Sequence, residues 1–196
     1  MKLNRLLLLL PVLLLSSCLI PEKFTSKLHI TKDYGYTFEY DGVLAFGPAL
    51  GEIAQHGSLP TKADNELREG TANTFKKEEG FDRASYQGNG RWKVHFKKSG
   101  ALADTTKLFG DQLPIVTLRR SAGGNVSIEG MTVDANIAQQ LKKVHFVIDG
   151  KLEITTDMTV VRHNATETPK LFGLFGGYGW KITSEKLTSP SMTLRP

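Results

Sequence analysis

Cysteine is almost absent from this 196-residue chain, which contains a single one, Cys18. One thiol excludes an intramolecular disulfide, a zinc site built on cysteines and a C-x-x-C redox pair. Histidine is also scarce, and the five histidines lack the H-x-x-x-H or H-E-x-x-H spacing of a metal site; they are His29, His56, His95, His145 and His163. A G-x-S-x-G nucleophile motif is absent as well. The sequence therefore predicts no metal, no cofactor and no enzymatic activity.

Carboxylates are the one remaining catalytic possibility. Several stand at the spacing of strand residues, namely Glu39, Asp41, Glu129, Asp149, Glu153 and Asp157. Two carboxylates that flank a sugar bond are the machinery of glycosidases, and the sequence leaves such a pair open. Charged side chains at alternate strand positions are usually solvated, and we interpret these carboxylates as solvated strand faces.

The sequence also has no apolar run long enough to span a bilayer, which takes about 20 apolar residues in a helix. The run at 6–15 has ten residues, is interrupted by Pro11 and follows the basic residues Lys2 and Arg5. A basic start and a short apolar core are typical of a secretory signal peptide. We predict that residues 1–17 form such a signal peptide.

The end of the signal peptide and the residue after it read Leu15-Ser16-Ser17-Cys18. This motif resembles the lipobox of bacterial lipoproteins. The resemblance implies cleavage between Ser17 and Cys18, a diacylglycerol on the Cys18 thiol and an acyl chain on its new amino group. Two or more acyl chains anchor a protein stably. The alternative is an ordinary signal peptide followed by an incidental buried cysteine.

Leu19 stands where lipoproteins retained in the inner membrane carry Asp. By resemblance, we expect a lipid-anchored protein of the bacterial cell envelope, in the outer membrane and facing the periplasm, with the inner membrane as the alternative. Without residues 1–17 the chain has 23 basic and 20 acidic residues, a net charge of +3. This mild excess is not the dense basic surface of a nucleic-acid-binding protein, so no nucleic-acid partner is predicted.

Residues 18–23 are predicted to form the acylated amino terminus and a short tether, and residues 24–196 a single domain. Five tether residues reach about 18 Å at most. The folded domain should therefore lie close to the membrane surface.

Alternation of apolar and polar residues dominates from Phe24 onward and predicts strands. The first two strands form a hairpin around Lys32-Asp33-Tyr34-Gly35. Helical segments are predicted at 44–57 and 63–79, with 133–142 as a short helix or irregular connection. Further strands are predicted at 82–87, 91–98, 113–120, 125–129, 144–148, 151–157, 158–163, 180–183 and 192–194. This order predicts an α+β fold, a curved antiparallel sheet packed around one or two helices in one domain.

This layout resembles a known family. The lipobox, the hairpin that follows it and the segment GFDRASYQGNGRWKVHF at 80–96 are similar to the LppM-type domain of bacterial lipoproteins and to related uncharacterised proteobacterial lipoproteins. The resemblance covers roughly residues 18–129. It implies a helix-grip-like sheet around a helix, and it implies the lipoglycan binding with which the mycobacterial member is associated.

Two features are candidates for contact with a ligand or with lipid headgroups. The first is the basic face of one predicted strand, extended by Lys98 and formed by Arg91, Lys93, His95 and Lys97, which could meet anionic headgroups or be an ordinary solvated face. The second is a glycine-rich loop with exposed aromatic residues, a possible apolar lip over a cavity; its aromatics are Phe172, Phe175, Tyr178 and Trp180. The alternative for this loop is packing onto the core, with Trp180 entering a strand.

The sequence thus predicts a lipid-anchored envelope protein whose sheet binds an amphipathic ligand, a lipid or glycolipid, without catalysis. The alternative is a structural or interaction module with a filled core that docks on another envelope protein. The membrane, through the acyl chains, is the predicted partner in both cases.

Overall fold

The computed structural model of the protein describes residues 19–109, 114–133, 135–170, 176–184 and 189–196. In these ranges the strands are β1 (Leu19–Ile30), β2 (Gly35–Phe46), β3 (Phe81–Gly88), β4 (Arg91–Ala101), β5 (Thr105–Leu108), β6 (Val116–Arg120), β7 (Val126–Gly130), β8 (Asp149–Thr156), β9 (Thr159–His163), β10 (Tyr178–Thr183) and β11 (Ser191–Arg195). The helices are α1 (Leu50–His56), α2 (Thr61–Lys77) and α3 (Ala135–Lys143). A 3₁₀ turn at Gly47–Ala49 precedes α1.

The strands form two sheets. One has six strands in the order β10-β8-β1-β2-β4-β3, and the other has five in the order β5-β6-β7-β11-β9. All neighbouring strands are antiparallel except β1 and β8, which are parallel. The predicted α+β fold in one domain is confirmed, while the single antiparallel sheet becomes one mixed and one antiparallel sheet. A parallel pair needs a long crossover connection, and the chain between β1 and β8 supplies it.

The first strand begins at Leu19, earlier than predicted. Residues 19–21 lie opposite residues 44–46 of β2, and a bulge follows Pro21. The tether predicted at 18–23 is therefore corrected, because from Leu19 onward these residues belong to the sheet. The sequence does not predict this start of the strand because of Pro21. Proline lacks the N–H that a sheet ladder needs and is tolerated at edges and bulges.

Two predicted helical segments differ in their outcome. Helix α2 (Thr61–Lys77) confirms the helix predicted at 63–79, shifted by two residues. The helix predicted at 44–57 is half correct, because residues 44–46 continue β2 and residues 47–49 form the 3₁₀ turn. Helix α1 follows from Leu50 to His56, and Gly57 caps it with φ 79°. Within the described ranges, no helix has the length and apolarity needed to cross a membrane.

Helix α3 ends where a strand was predicted at 144–148, and that prediction is wrong. The N–H of His145 donates to the carbonyl of Lys142 at 3.1 Å, and the N–H of Phe146 donates to the carbonyl of Leu141 at 2.9 Å. These bonds close the carboxyl end of a helix, with His145 in the left-handed region at φ 53°. The segment belongs to neither sheet.

The buried faces of both sheets contribute to one hydrophobic core. Phe109, just after β5, stacks on the ring of Tyr40 from the six-stranded sheet, with centroids 4.2 Å apart. It also meets Phe96 edge-on at 5.3 Å. Burial raises the pKa of Tyr40 well above its usual value, because little water is left to solvate a phenolate. Phe109 therefore packs directly onto the inner face of the six-stranded sheet.

Tyr86 links the turn between β3 and β4 to helix α2. Its hydroxyl oxygen accepts the N–H of Gly90 at 2.8 Å and donates to a carboxylate oxygen of Asp64. Burial first, and then the bond to Asp64, raise the pKa of Tyr86 to about 12. Both effects disfavour the phenolate.

We expect the stabilisation from the raised pKa of Tyr86 to be complete below pH 10.0, the usual tyrosine value, and to be lost as the pH rises to about 12. The unfolded chain loses the phenol proton first, so alkaline pH favours unfolding. Urea unfolding of the wild type and of Tyr86→Phe across this range tests it. The difference in unfolding free energy, about 1 kcal/mol at neutral pH, should shrink toward the alkaline end. A difference that stays constant would contradict the assignment.

Candidate functional site

The six-stranded sheet has an open side, called here the outer face, whose side chains alternate along each strand with the buried ones. The strand register places Glu153 beside Lys27, Lys27 beside Glu39, and Glu39 beside Lys97. Charges of opposite sign thus alternate in a row across β8, β1, β2 and β4. Such cross-strand pairs contribute about 0.2–1 kcal/mol each, so the row helps to set the strand register.

The basic residues predicted as headgroup contacts do lie side by side on the outer face of β4, as the alternation predicted. Four of them have a carboxylate partner. Arg91 donates from Nε to Glu22 Oε2 at 2.7 Å and from Nη2 to Glu22 Oε1 at 3.2 Å. Lys93 Nζ donates to Asp41, Lys97 Nζ donates to Glu39 at 2.6 Å, and His95 Nδ1 lies 2.7 Å from Asp82 Oδ1. A cation that already has an anionic partner offers less attraction to a headgroup. These four positions of β4 are therefore charged but locally neutral, whereas Lys98 forms no ion pair with any described residue.

Lys27 lies at the centre of the outer face, in a shallow cleft of about 250 Å³. It forms no ion pair with any of the residues described. His29 Nδ1 lies 2.9 Å from the Thr155 hydroxyl on the cleft wall. The hydrogen bond from Lys97 is the largest cause of a lowered pKa of Glu39. A carboxylate held in its ionised form is unsuited to proton donation.

The predicted aromatic lip falls partly outside the described residues. Phe172 and Phe175 lie outside them, while Tyr178 and Trp180 belong to β10. Trp180 is buried, and its indole N–H donates to Asn164 Oδ1 at 2.8 Å. The structure places Trp180 in the sheet rather than in a lip, which was the alternative interpretation of this segment. Tyr178, at the start of the strand, packs against the core.

The predicted cleavage and acylation residues, Ser17 and Cys18, also lie outside the described residues. The next residue along the chain, Leu19, is paired in β1 opposite Phe46 of β2. Both side chains are partly exposed. The chain therefore enters the sheet one residue after the predicted anchor.

A second cleft, of about 470 Å³, lies at one end of the five-stranded sheet. Glu129 and Thr117 lie on neighbouring strands at its wall, and Met131, Ser189 and Pro190 also line it. Arg119 forms an ion pair with Glu129. Throughout the described ranges, no group of three histidine, cysteine or acidic side chains is arranged to hold a metal ion.

Sequence reasoning missed the carboxylates that neutralise β4. Glu22 lies 69 positions from Arg91 in a segment predicted to be a tether, so the sequence held no signal for this pair. Asp82 lies on β3 and meets β4 through a shifted register. The alternation of Glu39 and Asp41 on β2 was visible, but nothing in the sequence paired β2 with β4 across the helical insert.

Comparison with known proteins adds little to this description. No family model matches the chain, and no curated protein matches it. Among solved structures, the chain is similar to the NMR structure of the folded domain of Mycobacterium tuberculosis LppM, with 12% identity and a TM-score of 0.40 over 91% of this chain and 90% of that one. At this level the likeness is one of general outline. The functional argument therefore depends on the residues of this chain.

Proposed function

We propose that this protein is a non-enzymatic lipoprotein of the bacterial envelope, held directly against its membrane by acyl chains on Cys18. The observation that carries the proposal is the start of β1 at Leu19, the residue after Cys18. Consecutive Cα atoms lie about 3.8 Å apart, so an anchor on Cys18 leaves no spacer between bilayer and sheet. The outer membrane is the proposed location because Leu19, not Asp, follows the cysteine.

We further propose that the protein acts through its surface, as an interaction module. The packing of the inner face supports this role over that of a ligand carrier. Phe24, Tyr40 and Phe109 stack in sequence, with centroids 5.4 Å and 4.2 Å apart, and Phe38 and Tyr40 are fully buried. These rings pack against one another and so fill the part of the inner face that they cover.

The electrostatics of the outer face support a role without catalysis. Four of its carboxylates, Glu22, Asp41, Asp82 and Glu39, are ion-pair partners of β4. The lowered pKa of Glu39 is opposite to the raised pKa of a general acid in sugar cleavage. The row of alternating charges across β8, β1, β2 and β4 instead stabilises the sheet.

The mass of the native protein tests both parts of the proposal. Purified from the envelope in mild detergent, it should have the mass of residues 18–196 with a diacylglycerol and an amide-linked acyl chain, before and after denaturation. An unmodified thiol, or retention of residues 1–17, would contradict the anchor. A stoichiometric lipid that is present natively and lost on denaturation would instead establish the protein as a carrier.

A further inference from the structure

The end of the six-stranded sheet where β1 begins is also the end where the chain enters β8. The two strands run parallel, with Asp149 opposite Lys23, so the residues that precede each of them extend from the same end. Leu19 lies four positions before Lys23, about 13 Å farther along the strand at about 3.3 Å per residue. With the anchor proposed above on Cys18, this end of the sheet is the one nearest the membrane.

Helix α3 brings two lysines to the segment that leads into β8. Lys142 and Lys143 occupy its last turn and are exposed. Neither has an ion-pair partner in the part of the chain that the structure describes. Asp149, the first acidic residue after them, lies 3.9 Å from Lys181 Nζ. No described carboxylate therefore neutralises these two positive charges, in contrast to Arg91, Lys93, His95 and Lys97 of β4.

An exposed apolar side chain follows the lysines. Val147 is 61% exposed, although its neighbours Phe146 and Ile148 are buried. A favourable interaction with the helix dipole accounts for lysines at the end of a helix, but it does not account for an exposed valine beside them. Basic residues next to exposed apolar ones are typical of a surface that lies in the membrane interface.

We infer that residues 142–147, the basic segment, contact the membrane that holds the acyl anchor, and that their partner is the headgroup layer of anionic phospholipids. Lys142 and Lys143 are attracted to the negative surface potential, which extends over a Debye length of about 8–10 Å. Val147 enters the boundary between headgroups and acyl chains. A second contact beside the anchor restricts rotation of the domain about it and so orients both sheets on the membrane.

The single native cysteine makes a site-specific test possible. With Cys18 acylated, a cysteine introduced by Val147→Cys is the one free thiol, and a polarity-sensitive fluorophore can be attached there. The acylated protein is reconstituted into phosphatidylcholine vesicles with or without phosphatidylglycerol. We expect the emission to shift to shorter wavelength when phosphatidylglycerol is present. Val161→Cys is the matched control, because among the described residues Val161 is also a large exposed apolar residue, at 56%, and it lies on β9 of the other sheet.

Charge variants test the lysines with a matched control. Lys142→Gln with Lys143→Gln should abolish the shift at position 147. Lys76→Gln with Lys77→Gln removes the same charge from the last turn of α2 and should leave the shift unchanged. The control lysines precede Gly80, whose carbonyl accepts the N–H of Lys97. Lys97 lies six positions along β4 from Arg91, the residue at the end of the strand that is level with the start of β1. Equal shifts at positions 147 and 161, or equal effects of the two lysine pairs, would overturn the inference.

A binding measurement separates this inference from the anchor itself. The mature chain with Cys18→Ser is mixed with phosphatidylglycerol-containing vesicles, and the bound fraction is measured by sedimentation. We expect the Lys142/Lys143 double variant to weaken binding by at least about tenfold, and the Lys76/Lys77 variant to weaken it much less. If the two variants bind equally, the proposed membrane contact of the basic segment is refuted, whereas the proposed acylation of Cys18 is unaffected. Conversely, the difference without acylation of Cys18 in the native protein refutes the anchor and retains the segment.

Discussion

Replacing Cys18 with serine is expected to move nearly all of the protein from the membrane fraction to the soluble fraction of the envelope. The variant is exported behind an ordinary cleavable secretory leader, so that an uncleaved signal peptide cannot substitute for the anchor. Each buried CH₂ of an acyl chain contributes about 0.8 kcal/mol to membrane binding, and the few lysines near β8 cannot replace several such chains. Fractionation of the envelope, followed by immunoblotting, measures the effect.

The structure also predicts what this change leaves intact. Because Leu19 already pairs with Phe46 in the sheet, the Cys18→Ser protein should fold and melt at the temperature of the wild-type domain. Ser17→Ala is the matched control, since it keeps a small residue before the cysteine and should keep the protein anchored. A Cys18→Ser protein that stays with the membranes after a high-salt wash would show that something other than acylation holds it there.

The second large effect is expected where Phe24 lies between two glycines of the neighbouring strands. Phe24 on β1 lies opposite Gly42 on β2 and opposite Gly150 on β8. A Cβ atom added at position 150 would overlap the Phe24 ring. One added at position 42 would overlap Phe24 Cβ and would lie 2.6 Å from the carbonyl oxygen of Lys23. Both glycines are therefore required by close approach, Gly150 to the ring of Phe24 and Gly42 to the start of that side chain and to the backbone.

We expect Gly150→Ala to destabilise the protein by about 1–3 kcal/mol through overpacking and Phe24→Ala by about 3–5 kcal/mol through the loss of a buried ring. Together they should cost clearly less than the sum of the two, because removing the ring also removes the clash. Chemical denaturation of the four proteins of this double-mutant cycle measures the coupling.

A glycine with free space around it provides the control for this cycle. Gly70 lies inside α2, and nothing is within 4 Å of an added Cβ atom. Gly70→Ala should stabilise the protein by about 0.5–1 kcal/mol. Additive free energies in the Phe24 and Gly150 cycle would contradict the proposed contact, whatever the behaviour of Gly70.

Local patterns in the sequence were sufficient for the elements in which one face is buried. The alternation in β4 correctly assigned Trp92, Val94 and Phe96 to the core and the intervening basic residues to the outer face. The hairpin of β1 and β2 and the helix α2 were also recognised. In each case the buried side chains recur along consecutive residues with the period of the element, which is two for strands and about 3.6 for helices.

Short or irregular elements could not be recognised in this way. Strand β5 has four residues, and only Leu108 among them is buried. One buried residue in four shows no alternation from which a strand could be predicted. The segment at 144–148 shows the reverse error, because its buried and exposed residues alternate without a neighbouring strand. A pattern records which side chains are buried, and it does not record whether a strand lies alongside.

The sequence by itself determined the chemistry of the predicted anchor, the α+β class and the inward or outward direction of most strand residues. Only the tertiary structure decided that β1 and β8 are parallel neighbours and that Glu22, Asp41, Asp82 and Glu39 neutralise four basic side chains of β4. It also decided that Lys142 and Lys143 of the basic segment have no carboxylate partner among the described residues. The physical reason is the range of the interactions involved. Alternation depends on adjacent residues, whereas strand pairing and ion pairing depend on which distant segments bury the most apolar surface together.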